Sequence, residues 1–137
     1  MEEGRPPWDD DPRWNDTIRR ALLAAGGRDL LGTYRAHHLK LALLRQPTQV
    51  WLAADVGLGL ATQRYEGEQP ILTVDWWPWR DVQEPGLHVV SELHEGDAVD
   101  EIRFTVQRPR VELYERGKPG LALSMFAGAV MRAASAR

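Results

Sequence analysis

Apolar positions along this chain change period twice. Ile18, Ala21, Leu22 and Ala25 recur at helical spacing between Asn15-Asp16 and Gly26-Gly27. Asn15 offers an N-cap, Asp16 suits the positive end of a helix, and the two glycines suit its close. The spacing predicts a short amphipathic helix over about 16–25. The next stretch, "LLGTYRAHHLKLALLRQP", alternates at Leu39, Leu41 and Leu43, while Leu30, Tyr34, Leu41 and Leu44 nearly fit a helix. A strand over about 33–44 is the reading taken. Beyond Pro47 the pattern is that of strands between polar turns. "TQVWLAA" and "GLGLATQRY" flank Asp55-Val56-Gly57 as the arms of a hairpin, and "QPILTVDWW" follows Glu66-Gly67-Glu68. "GLHVVSEL" opens after Pro85, "DEIRFTVQ" after Glu95-Gly96, and "RVELYER" after Pro109. Ile102, Phe104 and Val106 alternate with Arg103, Thr105 and Gln107, so one face of that strand is apolar and the other wet. "RVELYER" places Val111 and Leu113 inward. After Pro119, a residue suited to a first helical turn, the helical period returns. Leu123, Phe126, Ala127, Val130 and Ala134 form one stripe, with Arg132 and Arg137 near the negative end.

The expected fold class is α+β: mostly antiparallel β, about seven strands in a bent barrel or sheet, with a short N-terminal helix and a C-terminal packing helix. Residues 1–14 read as an acidic, Pro-rich flexible tail, because "EEGRPPWDDDPRWND" has three prolines, many acids and no apolar periodicity. Residues 15–137 read as a single globular domain. Two tryptophans interrupt the tail. Trp14 adjoins the helix and is read as an anchor folded back onto the body; Trp8 is either such an anchor or a docking residue for a partner.

This element order resembles a bacterial pleckstrin-homology-like domain, in which seven antiparallel strands form a bent barrel plugged by a C-terminal helix. The resemblance covers about residues 33–136. "PWRDV" looks like the aromatic-acidic-aliphatic turn that often ends the fourth strand of such domains, and "SMFAGAVMRAA" looks like the closing helix. Another small barrel, or a sheet with two helices, would share these motifs. The resemblance implies a binding module: some members of the family hold phosphoinositides, and many bacterial ones bind proteins. The usual basic loop between the first two strands is poorly matched, since "LLRQPTQV" supplies only Arg45. That counts against a lipid headgroup.

"DWWPWRDV", residues 75–82, sets three tryptophans around a proline. Alternation puts Leu72, Val74 and Trp76 on one face and Ile71, Thr73, Asp75 and Trp77 on the other. Thr73 and Asp75 make the second face the wet one, so Trp76 is expected in the core and Trp77 outward. Pro78 cannot donate to a ladder, so the strand lies at an edge, carries a bulge, or ends there. A bulge would turn Trp79 inward. An exposed tryptophan beside an arginine is typical of binding hot spots. Trp77, Trp79, Arg80 and Trp8 are therefore the candidate binding residues, the competing reading being that the N-terminal helix or tail covers Trp77.

Composition narrows the partners. The chain has 137 residues, 43% of them hydrophobic, enough to bury a core unaided. Residues 1–16 carry six acids against two arginines, which leaves 15 bases against 14 acids in the rest. A near-neutral body lacks the basic stripe that nucleic acid demands. No apolar run approaches a membrane span, and the N-terminus has no secretory h-region, so the expected location is cytoplasmic. With no cysteine in the chain, thiol catalysis, disulfides and cysteine metal sites are excluded.

Candidate chemistry is sparse. His37 and His38 are adjacent and would face opposite ways on a strand. His88 and His94 are six residues apart, roughly 20 Å on an extended chain. Glu92 and His94 share a face but lack a third ligand. "GLGLA" at 57–61 lacks the third glycine and the helix of a nucleotide loop, and no G-x-S-x-G, no G-x-x-x-x-G-K-[ST] and no H-E-x-x-H occurs. The expectation is a non-enzymatic protein-interaction or regulatory module without cofactor or metal, its partner another protein; a homo-oligomer is compatible with it. The alternatives are a barrel binding a small molecule or lipid headgroup at its mouth, and an enzyme with an unrecognised site.

Overall fold

Helix α1 (Pro12–Ala24) begins earlier than the Asn15 cap suggests, with a proline in its first turn, where a missing N–H costs nothing. Its buried stripe is Trp14, Ile18 and Leu22, one residue per turn. Gly26, at φ 83°, ends it. The Gly27 N–H donates to the Leu22 carbonyl at 2.9 Å and the Gly26 N–H to that of Leu23 at 3.0 Å. This is a Schellman close, which only a residue tolerant of positive φ completes without strain.

The structure, a computed structural model, describes residues 12–36, 48–117 and 121–136, with the backbone alone for 97–100, 117 and 121. It is α+β: seven antiparallel strands in two sheets, one helix before them and one after. Two compact units, Met1–Trp76 and Trp77–Arg137, divide the chain.

The first unit holds a sheet of order β1-β2-β3-β4, with β1 Leu30–Arg35, β2 Thr48–Ala54, β3 Gly57–Glu66 and β4 Gln69–Pro78. Strand β1 starts three residues before the expected one; residues 37–44 of that expectation lie outside the described residues. Only Asp55 and Val56 join β2 to β3, with Ala53 opposite Leu58. Asp55 also holds the chain that leaves α1. Its carboxylate accepts the Arg28 N–H at 3.0 Å and the Asp29 N–H at 3.3 Å, while its own N–H donates to the Asp29 carbonyl at 3.0 Å. Val50, Leu52 and Ala61 pack with Trp14 and Ile18, and Leu72, Val74 and Trp76 of β4 close over them. The alternate β2 positions Trp51 and Ala53 are buried too, which accounts for the unbroken apolar run "VWLAA".

The second unit is a sheet of order β5-β6-β7, from β5 Gly86–His94, β6 Asp97–Val106 and β7 Val111–Gly117, with α2 (Leu121–Ser135) packed on it. Ile102, Phe104 and Val106 point into the core from β6, as their alternation requires. Val111 joins them, whereas Leu113 is half-buried. The whole α2 stripe is buried: Leu123, Phe126, Ala127, Val130 and Ala134. Phe126 meets Phe104 edge to face, ring centroids 5.9 Å apart and planes at 85°. A carboxylate from β7 meets the first turn of α2, Glu115 Oε1 accepting the Leu123 N–H at 3.4 Å.

Candidate interaction surfaces

Two stretches of surface answer the question that the tryptophans raise. The first is the end of β4. This strand is at the edge of its sheet and stops at Pro78, so two of the three options open to that proline apply together. A 3-10 turn, Trp79–Asp81, follows, closed by the Val82 N–H donating to the Trp79 carbonyl at 3.1 Å. Val82 is fully buried, and Gln83 bridges Arg108 on the connection between β6 and β7. That bridge consists of the Gln83 N–H on the Arg108 carbonyl at 2.8 Å and the Gln107 N–H on the Gln83 carbonyl at 2.9 Å.

The turn fixes the four candidate residues differently. Trp79 is 7% exposed and belongs to the core, so its ring is not part of a binding face. The 3-10 turn, which periodicity could not foresee, rotates it inward. Trp77 is half-buried and Arg80 and Asp81 are exposed. Trp76 packs on the core of its unit and is itself half-buried. Its indole Nε1–H is buried with no hydrogen-bond partner among the described residues. Trp8 lies outside the described residues. Trp14 is core, and its indole N–H donates to Gln63 Oε1 at 2.8 Å.

The second surface was not singled out by its sequence. From Leu87 to His94 every residue of β5 is exposed, and four of them are large and apolar: Leu87, Val89, Val90 and Leu93, the last two 41% and 83% exposed. Among the described residues β5 pairs on one side only, with β6, in an unbroken register from Gly86 opposite Thr105 to His94 opposite Asp97. A signal was available in "LHVVSEL", where apolar residues occupy both faces of a strand that also carries charge. Whether such a strand is central or lateral depends on its neighbours, which local sequence does not reveal.

Several charged groups on the second sheet are paired. The Arg116 guanidinium donates to both carboxylate oxygens of Glu92 at 2.9 Å, and His94 Nε2 lies 3.3 Å from Glu92. Arg103 pairs with Glu101. No group of three or more His, Asp or Glu side chains that could hold a metal ion occurs among the described residues. His37 and His38 lie outside them. Nor is any described helix long and apolar enough to cross a membrane.

Compared with known proteins, the chain matches no family model, no curated protein and no solved structure.

Proposed function

We propose that this chain is a non-enzymatic module that binds another polypeptide. One observation carries the reading: β5 is an edge strand that pairs only with β6 among the described residues, with Leu87, Val89, Val90 and Leu93 exposed along it. Unpaired backbone N–H and C=O groups beside exposed apolar side chains are what an added strand requires, the main chain supplying affinity and alternate side chains selectivity. The half-buried Trp77 and the exposed Arg80 form a second, smaller contact area, held in place by the buried Trp79 and Val82 on either side of Arg80. The succession of seven antiparallel strands and a closing helix supports the likeness to a pleckstrin-homology-like domain, a class used mostly for binding.

The experiment is site-specific photo-crosslinking in the native host. A benzophenone amino acid replaces Leu93 or Arg80, with Leu23 of α1, 62% exposed, as the control position. Polypeptide adducts from position 93 well above those from position 23 are the expected result. No adducts from either 93 or 80 would overturn the reading.

A further inference from the structure

An edge strand in a monomeric protein is normally defended. It is kept short, bulged, broken by proline, or studded with lysine. Strand β5 has none of these defences. Its nine residues exceed the usual five or six. Its register with β6 has no bulge, and it contains neither proline nor lysine. Its single carboxylate, Glu92, is already held by Arg116.

The residues of β5 also complement themselves. When two copies of a strand pair antiparallel about a two-fold axis normal to the sheet, each residue keeps its face. Directly opposed residues must then point the same way, and the axis must pass through a residue. Few registers remain. An axis at Glu92 opposes two carboxylates, and one at Ser91 opposes His88 to His94 and Val90 to Glu92. An axis at Val89 opposes His88 to Val90 and Leu87 to Ser91. An axis at Val90 opposes Val90 to Val90, together with His88 to Glu92, Leu87 to Leu93 and Val89 to Ser91, each cross-pair occurring twice; it is the one register here that gives both a charge-to-donor pair and a leucine pair. Charge meets a complementary donor on one face, and leucine meets leucine on the other.

We propose that two copies of the chain associate through β5, paired antiparallel about a two-fold axis at Val90, to make one six-stranded sheet. The proposal rests on the reading that the chain binds a polypeptide and names that polypeptide as a second copy. Phe104, against which α2 packs, lies opposite Leu87, so Leu87, Val89 and Leu93 are on the α2 face of the sheet. Both α2 helices therefore lie on one side of the joined sheet, with the leucine pairs between them. The opposite face carries the two His88–Glu92 pairs, in which each imidazole meets a carboxylate that Arg116 orients within its own chain and that is still 48% exposed. A single strand pair is a small interface, so association depends on concentration.

Sedimentation equilibrium from micromolar to millimolar concentration tests this. The weight-average mass is expected to rise from 15.5 kDa toward twice that value. Val90→Lys, which sets like charges against each other at the axis, should stay monomeric where the wild type dimerises, with circular dichroism confirming its fold. Because the chain has no cysteine, Val90→Cys adds a decisive second variant. On oxidation it should give disulfide-linked dimer several-fold more efficiently than Leu23→Cys. A wild type that stays monomeric throughout, a Val90→Lys variant that is folded and dimerises like the wild type, or a Val90→Cys variant that crosslinks no better than Leu23→Cys would each overturn the proposal. If the wild type stays monomeric while position 93 captures a different protein in the host, the binding reading stands and the homodimer falls. If it stays monomeric and positions 93 and 80 capture nothing, both fall.

Discussion

The indole of Trp76 lies across Gly59: a Cβ placed on that glycine would sit 2.6 Å from Cζ3 and 2.7 Å from Cε3 of the ring. Gly59 is the third residue of β3, inside a strand where glycine is otherwise unfavourable, and the aromatic ring of the neighbouring strand covers the backbone that it leaves bare. Gly59→Ala forces the ring off its site and should cost about 1–3 kcal/mol. Replacing Trp76 with Ala removes the obstacle, so the cost of Gly59→Ala in that background should fall close to zero. Urea denaturation of the two single variants and the double variant measures the coupling; additive effects would mean that ring and glycine are independent.

Phe126 and Phe104 meet edge to face at the centre of the second unit. Phe126→Ala should lose about 3–5 kcal/mol through transfer and cavity terms. A loss below about 1 kcal/mol, the scale of surface substitutions, would mean that α2 is peripheral to its sheet.

Trp79 and Trp77 are separated by one proline yet differ in burial. Trp79→Ala should destabilise by about 3–5 kcal/mol. Trp77→Ala should cost clearly less, since a half-buried ring leaves a smaller cavity. Equal midpoint shifts in thermal denaturation would place both rings in the core and remove the Trp77–Arg80 area from consideration.

Trp14 ties α1 to β3 through its indole N–H and Gln63. Trp14→Phe keeps most of the apolar contact and deletes the donor, so about 1 kcal/mol is expected, the net value of one hydrogen bond. Gln63→Ala should cost a similar amount, and the double variant little more than either single one.

Asp55 accepts the backbone N–H groups of Arg28 and Asp29. Asp55→Ala should lower stability by about 1–2 kcal/mol. It should also speed amide exchange at residues 28 and 29 while leaving β6 and β7 unchanged. Uniform acceleration would show global rather than local loosening.

Periodicity read the regular elements well because burial here follows the sheet and helix repeats. The Leu123–Ala134 stripe and the Ile102–Phe104–Val106 alternation are one-sided, and the structure buries each as written. What local pattern missed is non-local or irregular. Trp14 finds its hydrogen-bond partner in Gln63, 49 residues away, a contact that no local pattern encodes. The Asp55 clamp closes over 27 residues. Trp79 turned inward because a 3-10 turn has neither the strand period nor the helix period. The candidate site was legible only in part: "WWPWRDV" flagged a segment in which Arg80 is exposed and Trp79 buried. The most exposed apolar strand, "GLHVVSEL", reads locally as one more strand between polar turns.

The pair between Arg116 and Glu92 runs over the top of β6. Each partner is on an outer strand of the three, and the two strands are roughly 10 Å apart. To peel β5 from the sheet, its hydrogen bonds to β6 must unzip while this strap to β7 also lets go. The lateral strand therefore frays less readily than a strand held by one neighbour. For the strand addition proposed above, a template held in this way would leave less motion to be frozen out on joining.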